Sequence, residues 1–228
     1  MDRSQPPSCK LWPPRWTNDC KGGAFLRGSN FHFMPAIAAI LAVALCSCTE
    51  SQEENQLALQ LRGDFLSMTG CSGQMEITAD YGQRIYSYAV TFSSNEETGM
   101  TLVLTAPEEV AGITATIEHG QTNLVYDGVR LETGPLNEDG LSPLDALPAL
   151  ITAVQSGCLM ESGSELLGET DTLRLCYRDP EQTSEEGTET ILWFCKDRKT
   201  LLRGELLSNG STVIRCEFSA FNIISTNT

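Results

Sequence analysis

Apolar and polar residues alternate with a period of two over much of the chain from Met75 onward, and turn sequences interrupt the alternation at short intervals. Successive side chains of a strand point to opposite faces of a sheet, so this period allows one face to be buried while the other meets water. Asp127-Gly128 and Asn209-Gly210 contain the residue types that two-residue hairpin turns prefer. The pattern therefore predicts an antiparallel sheet built from consecutive hairpins.

Two apolar helices are predicted to interrupt this series of strands. The first covers Gln56–Met68, where leucines and Phe65 recur at helical spacing. Gly70 and Gly73 are expected to end it, because glycine is unfavourable inside a helix.

The second predicted helix covers Pro143–Gln155 and carries an apolar stripe. Ser142 is the expected N-cap, with Pro143 in the first helical position. Pro148 falls inside the helix, where a kink is expected, and Gly157 is expected to end it.

About five strands are predicted between the helices and about five after the second one. An apolar helix must bury its apolar side against another element, so both helices are expected on the concave face of a strongly curved sheet. The predicted fold class is α+β, with about 10–11 antiparallel strands in one domain over residues 56–228. A domain of this size can bury a core that needs no disulfide.

The N-terminal part contains an apolar run, Met34 to Leu45, that is too short to span a bilayer of ~30 Å as a helix. Its length is typical of the core of a secretion signal. Residues 1–33 before it show no periodicity and are interpreted as a leader extension, either a disordered tail or the product of an incorrect start.

The tetrapeptide Leu45-Cys46-Ser47-Cys48 closes this run and resembles the lipobox of bacterial lipoproteins. The resemblance implies cleavage between Ser47 and Cys48 and attachment of a diacylglyceryl group to the Cys48 thiol. Residues 34–47 would then be the signal-peptide core and lipobox, and residues 48–55 a lipidated tether. The alternative is an ordinary signal peptide or a buried helix that ends in cysteine.

The sequence that follows this box is strongly acidic. Five Lys/Arg and two Asp precede Cys48, which leaves ten basic and 28 acidic residues and a formal net charge of −18 from there on. Nucleic acid is therefore excluded as an expected partner, since its phosphates require clusters of Lys and Arg. Contact with a membrane is expected through the N-terminal diacylglyceryl group rather than through charge.

Residue sets that carry out catalysis are not apparent in the sequence. His119 is the only histidine after the leader, and it lies beside Gly120 in a predicted turn. No serine lies in a Gly-x-Ser-x-Gly context, and the paired acids such as Glu108-Glu109 fall in predicted loops. We expect a protein that is not an enzyme, with no cofactor and no metal site.

Five cysteines follow Cys48, and the predicted register tests their pairing. Cys176 and Cys195 face each other if the acidic loop 179–187 closes symmetrically, and could then form a disulfide; otherwise they are two buried free thiols. Both arrangements are compatible with the sequence. A Cys195–Cys216 bridge is disfavoured, because two strand spacings separate them by at least ~9.4 Å, beyond the ~7 Å Cα limit.

The hairpin at Asn209-Gly210 also predicts that Arg203 pairs with Cys216. This register puts the arginine on the same face as Ile214 and Phe218. Either a β-bulge moves Arg203 to the other face, or a buried arginine needs a carboxylate partner.

Apolar side chains that share one face of the predicted strands are candidates for the lining of a hydrophobic cavity. These are Tyr86, Tyr88, Val90, Phe92, Leu102, Leu104 and Trp193. A filled core under the helices would use the same alternation, so a cavity and a packed core are both compatible with the sequence.

The order of elements resembles the outer-membrane lipoprotein carrier (LolA/LolB-like) superfamily and related Gram-positive lipoproteins, including clostridial spore-germination lipoproteins. The residues that carry the resemblance are mainly Met100 to Leu131 and the helix start Leu141-Ser142-Pro143-Leu144. It implies an incomplete β-barrel, or half-barrel, with helices as a lid over an apolar cavity.

Together these observations predict a membrane-anchored, extracytoplasmic lipoprotein whose half-barrel binds an apolar ligand or a lipidated or apolar partner protein. The alternative is an envelope or germination assembly partner that uses the same scaffold for protein–protein contacts and has no ligand cavity.

Overall fold

The protein is described by a computed structural model over residues 52–95, 97–118, 121–132, 141–183 and 187–225. The leader, the predicted lipobox with Cys48, and His119, for which a turn was predicted, lie outside the described residues. The helices are α1 (residues 52–66) and α2 (Ala146–Ser156). The strands are β1 (Met68–Asp80), β2 (Ile85–Asn95), β3 (Gly99–Ala106), β4 (Thr114–Glu118), β5 (Gln121–Tyr126), β6 (Val129–Glu132), β7 (Leu159–Leu167), β8 (Thr170–Arg178), β9 (Thr188–Cys195), β10 (Leu201–Ser208) and β11 (Ser211–Ser225).

Within the described ranges the strands form a single antiparallel sheet of eleven strands in the order β6-β5-β4-β3-β2-β1-β11-β10-β9-β8-β7. The sheet does not close, because β6 and β7 are its two edges. The predicted α+β class, the strand number and the antiparallel pairing are confirmed. In the same part of the chain, no helix has both the length and the apolar character that crossing a membrane requires.

The first helix ends earlier than predicted, and both glycines expected to end it lie inside β1. Gly73 is opposite Phe92 of β2 and Phe221 of β11. A Cβ atom there would lie 2.0 Å from the carbonyl oxygen of Ala220 and 2.7 Å from the Phe92 ring. Glycine is therefore required by the close approach of the neighbouring strands rather than by a helix end.

The second helix begins three residues later than predicted. Its N-cap is Asp145, and Ser142 instead begins a turn in which its carbonyl oxygen accepts a hydrogen bond from the Asp145 amide at 3.0 Å. Pro148 consequently lies in the first helical turn, where a missing N–H removes no helical hydrogen bond. The predicted interior position of Pro148 is wrong, whereas the end at Gly157 is confirmed by a 2.9 Å bond from its amide to Ala153.

Both helices pack on one face of the sheet, which we call the helix face. The Phe65 ring of α1 lies 5.8 Å from Phe194 and 5.8 Å from Phe221. In α2, the fully buried Leu150 packs directly over Gly204, which leaves no space for a side chain on β10. Arg62 joins the two helices by donating from Nη2 to the Gln155 carbonyl at 3.0 Å.

The buried core on the helix face is drawn from residues between Ala58 and Phe221. A shortened protein that starts at residue 51 therefore retains every side chain of this core.

The opposite face carries a small buried cluster of Cys176, Ile191, Trp193 and Leu207. The Trp193 ring lies between the guanidinium groups of Arg174, at 5.9 Å, and Arg203, at 5.7 Å. Such cation–π contacts allow arginines to cover an apolar ring while they stay hydrated.

The register of β10 and β11 decides the position of Arg203. A shift between Leu206 and Leu207 pairs Gly204 with Cys216 and Arg203 with Glu217. The predicted Arg203–Cys216 pair is therefore wrong, and the bulge is confirmed as the reason. Arg203 lies on the face opposite to the helices, where its Nη2 is 2.7 Å from the Glu217 carboxylate.

All five cysteines of the described residues are free. Cys176 is opposite Ile191, and Cys195 is opposite Thr172, so the two do not face each other. The disulfide considered for Cys176 and Cys195 is wrong, and the alternative of two buried free thiols is confirmed. The cause is that β8 and β9 pair with a register four residues away from the one that a bridge would need.

Candidate ligand cavity

An apolar cavity of about 250 Å³ lies on the helix face, between the strands of the first half of the sheet and the segment that precedes α2. Its lining residues are Ile77, Tyr88, Val90, Leu104, Val110, Ile113, Leu124, Ser142, Pro143 and Leu144. This volume is slightly below the ~300–1,000 Å³ of pockets that hold drug-sized ligands, so it fits one chain or ring system.

The walls of the cavity come from strands on one side and from two irregular segments on the other. β1, β2, β3 and β5 place Ile77, Tyr88, Val90, Leu104 and Leu124. The β3–β4 loop adds Val110 and Ile113, and it is fixed to β3 by two backbone hydrogen bonds. These bonds run from the Leu104 amide to the Ile113 carbonyl and from the Gly112 amide to the Leu104 carbonyl, each 2.9 Å long.

The chemistry of the lining is almost entirely apolar. Of the lining residues in the described ranges, only Tyr88 and Ser142 contribute a side-chain hydroxyl, and none is charged. The Ser142 hydroxyl already accepts a hydrogen bond from the Leu144 amide at 3.4 Å. This cavity can bind an apolar molecule by removing its surface from water. The described lining contains no nucleophile with an adjacent base.

The predicted cavity residues divide into three groups. Tyr88, Val90 and Leu104 line the cavity. Phe92 and Leu102 are buried in the packed core instead, and the Phe92 ring lies 6.1 Å from the Phe218 ring and 5.8 Å from the Phe221 ring. A packed core and a cavity therefore both occur along β2. Phe92 packs against other phenylalanine rings, whereas Val90 and Tyr88, earlier in the strand, face the cavity.

Trp193 and Tyr86 do not line the cavity. Trp193 faces the opposite side of the sheet, so its assignment as a cavity residue is wrong. Its neighbours Leu192 and Phe194 are apolar as well, and a continuous apolar run does not reveal which residues face the helices. Tyr86 is 38% exposed and lies on the same face of β2 as Tyr88, two residues closer to the start of the strand.

The two irregular segments contribute lining residues that the sequence pattern does not predict. Val110 and Ile113 fall in and beside a predicted turn, and Ser142, Pro143 and Leu144 fall at a predicted helix start. Apolar residues inside a predicted loop indicate that the loop is partly buried, because loops exposed to water are mostly polar.

Three tyrosines lead from the surface to the cavity, and we call them the tyrosine series. The Tyr88 and Tyr86 rings are nearly parallel with centroids 6.4 Å apart, and Tyr81 meets Tyr86 edge-on at 6.3 Å. The Tyr81 hydroxyl donates to the Leu141 carbonyl at 3.2 Å, which ties the β1–β2 turn to the segment before α2. Burial, and secondarily the neighbouring tyrosines, raise the pKa of Tyr81 and of Tyr88.

A larger hollow of about 640 Å³ lies along β1, β2 and β11 but has a different character. Six of its ten lining residues are polar or charged, among them Glu76 and Glu217. Because an apolar lining with few polar groups distinguishes ligand cavities, the smaller cavity is the candidate site.

No protein-family model and no curated protein matches the sequence. Solved structures do match in the arrangement of the chain. A putative outer membrane lipoprotein-sorting protein domain from Vibrio parahaemolyticus is 11% identical with a TM-score of 0.43, and the match covers 78% of this chain and 94% of that one.

Two further structures carry related names. The LolA superfamily protein NE2245 from Nitrosomonas europaea is 10% identical with a TM-score of 0.36, over 76% of this chain and 94% of that one. A structure of the CwlD amidase from Clostridioides difficile in complex with the GerS lipoprotein matches at 14% identity and a TM-score of 0.39, over 74% of this chain and 95% of that one. The structures to which this chain is similar thus include proteins named as lipoproteins and as members of the LolA superfamily, the group that the sequence resembles.

Proposed function

We propose that this chain is a membrane-anchored, extracytoplasmic lipoprotein that binds an apolar ligand, or an apolar part of a lipidated partner protein, in the cavity under the segment before α2. In this proposal the helix face is the concave side of a curved half-barrel, and the protein has no enzymatic activity. The anchor is a diacylglyceryl group on Cys48.

The observation that carries the proposal is the apolar cavity of about 250 Å³ beside an otherwise well-packed core. An unfilled apolar space costs stability, because its lining loses contacts that a packed core would make. A ligand that fills the space restores those contacts and is stabilised by burial of its own apolar surface. An assembly partner without a ligand would not need the space, so the cavity favours ligand binding over that alternative.

The test compares two tryptophan substitutions in the soluble segment 51–228. Ile113→Trp adds volume at the cavity wall, and Leu166→Trp places the same residue on β7, where Leu166 is 69% exposed and far from the lining. We expect the unsubstituted segment and Leu166→Trp to bind N-phenyl-1-naphthylamine, an uncharged apolar fluorophore. Ile113→Trp should bind it at least about tenfold more weakly, a loss of ~1.4 kcal/mol.

Native mass spectrometry with lipid extraction provides the second measurement. We expect a co-purified apolar molecule that is absent from Ile113→Trp, while circular dichroism shows that both variants fold. Equal fluorophore binding by both variants would contradict the proposed cavity. An unsubstituted segment that neither carries nor takes up an apolar molecule would favour the assembly role.

A further inference from the structure

The tyrosine series occupies the one route of aromatic contacts that the structure describes between solvent and the cavity lining. Tyr88 lines the cavity, Tyr86 stacks next to it, and Tyr81 is 49% exposed at the β1–β2 turn. A ligand whose chain occupies the cavity would therefore have its head beside these rings.

The residues next in sequence to the tyrosine series and to the cavity lining are mostly acidic. Asp80 directly precedes Tyr81, Asp145 directly follows the lining residue Leu144, and Glu108 and Glu109 precede the lining residue Val110. Burial raises the pKa of Asp145, and the structure describes no ion pair for it. Arg84, in the β1–β2 turn, is the basic residue nearest in sequence to the series.

Among the lining residues that the structure describes, none carries a positive charge, and the Tyr88 hydroxyl is the donor available to a head group. A carboxylate that left water at this position would lose hydration without a matching partner. A quaternary ammonium group, by contrast, is weakly hydrated and is attracted to the electron-rich faces of tyrosine rings.

On this basis, and resting on the proposed function, we infer that Tyr81, Tyr86 and Tyr88 form a head-group subsite that selects single-chain amphiphiles with a quaternary ammonium head over those with a carboxylate head. The volume of the cavity limits the ligand to one chain, and the rings determine the head.

The experiment uses three probes with the same ten-carbon chain: decyltrimethylammonium, decanol and decanoate. Binding to the segment 51–228 is measured by isothermal titration calorimetry below micelle concentration. Sodium chloride at about 0.5 M suppresses the general attraction of cations to an acidic protein, because the Debye length is then only a few ångströms. The variants are Tyr86→Leu, which keeps an apolar side chain, and Tyr126→Leu, which removes an exposed tyrosine from β5 outside the series.

We expect Tyr86→Leu to weaken decyltrimethylammonium about two- to fivefold, the size of one cation–π contact at a partly exposed site. Decanol binding should change little in this variant, and Tyr126→Leu should leave all three probes unchanged. Decanoate should bind more weakly than decyltrimethylammonium to the unsubstituted segment.

Two results would overturn the subsite while the proposed function stands. One is decanol binding together with an ammonium affinity that Tyr86→Leu does not change. The other is decanoate binding that is the tightest of the three and is lost in Arg84→Gln, which would assign the mouth to anionic heads. If none of the three probes binds, the proposed function itself fails, and the subsite fails with it.

Discussion

At the scale of single residues, the core thiol Cys216 couples stability to pH. Cys216 is 1% exposed and lies opposite Ile77 across the β1–β11 pairing. Burial raises the pKa of this thiol from 9.0 to about 12, and the charge of Glu217 adds to the effect. The unfolded chain therefore releases this proton near pH 9, whereas the folded protein keeps it until a much higher pH.

The free energy of unfolding is therefore expected to decrease at alkaline pH. The contribution of Cys216 is complete below pH 9 and declines as the pH rises toward 12, because only the unfolded state ionises in that window. We expect this one group to lower the free energy of unfolding by about 1 kcal/mol between pH 8 and pH 10. Urea unfolding at both pH values measures the difference.

Two variants separate this thiol from the other groups. Cys216→Ala should show a smaller decline between pH 8 and pH 10 than the unsubstituted protein, even if its stability is lower throughout. Cys158→Ala, which removes an exposed cysteine, should keep the full decline. A Cys216→Ala protein with an unchanged decline would show that the slope arises elsewhere.

At the scale of elements, the contact between α2 and β10 depends on Gly204. A Cβ atom on Gly204 would lie 2.5 Å and 2.8 Å from the two methyl groups of Leu150, which is fully buried. We expect Gly204→Ala to destabilise the protein by about 1–3 kcal/mol, because the helix must shift or Leu150 must leave its rotamer. Chemical denaturation measures the effect.

Gly163→Ala is the matched control for this contact. Gly163 also lies within a strand, β7, but a Cβ atom there meets nothing within 4 Å. This substitution should be neutral or slightly stabilising, because alanine loses less backbone entropy than glycine. Shortening the opposing side chain in the double variant Gly204→Ala/Leu150→Val should recover part of the loss, and a purely additive result would argue against the contact.

The elements were predictable where the signal is local. The Asn209-Gly210 turn is confirmed, with φ of 50° and 74° at its two residues, and Ser208 pairs with Ser211 as the hairpin requires. The predictions were wrong where residues distant in the sequence determine the local structure. Gly73 is inside a strand because Ala220 and Phe92 crowd it, and nothing near Gly73 in the sequence shows this.

The candidate site was only partly predictable for a similar reason. Alternation identified Tyr88, Val90 and Leu104, whose faces follow from a period of two. It gave no means to separate them from Phe92, which fills its space with two other phenylalanine rings. Whether a face is packed or hollow depends on the volumes that meet there in three dimensions, and the sequence period does not contain that information.

At the scale of the whole molecule, the proposed anchor can be tested within the tetrapeptide that predicts it. Cys48→Ala removes the thiol that would carry the diacylglyceryl group, while Cys46→Ala leaves Leu45, Ser47 and Cys48 in place. In a bacterial host fed radiolabelled palmitate, we expect label in the unsubstituted protein and in Cys46→Ala. Cys48→Ala should carry none and should leave the membrane fraction after cleavage of any signal. A labelled Cys48→Ala protein would contradict the anchor.

The central position of the β1–β11 pairing has a consequence for the order in which the chain folds. Every other neighbouring pair in the described sheet joins consecutive strands, whereas Ala79 pairs with Ile214 across most of the domain. Hairpins form within microseconds, but a contact between distant segments must await loop closure. During synthesis from the N-terminus, β1 to β6 and β7 to β10 therefore remain two separate sets of paired strands until β11 is available. We expect the apolar surface of both sets to need protection by chaperones during that interval, and the last strand to complete the fold in one late step.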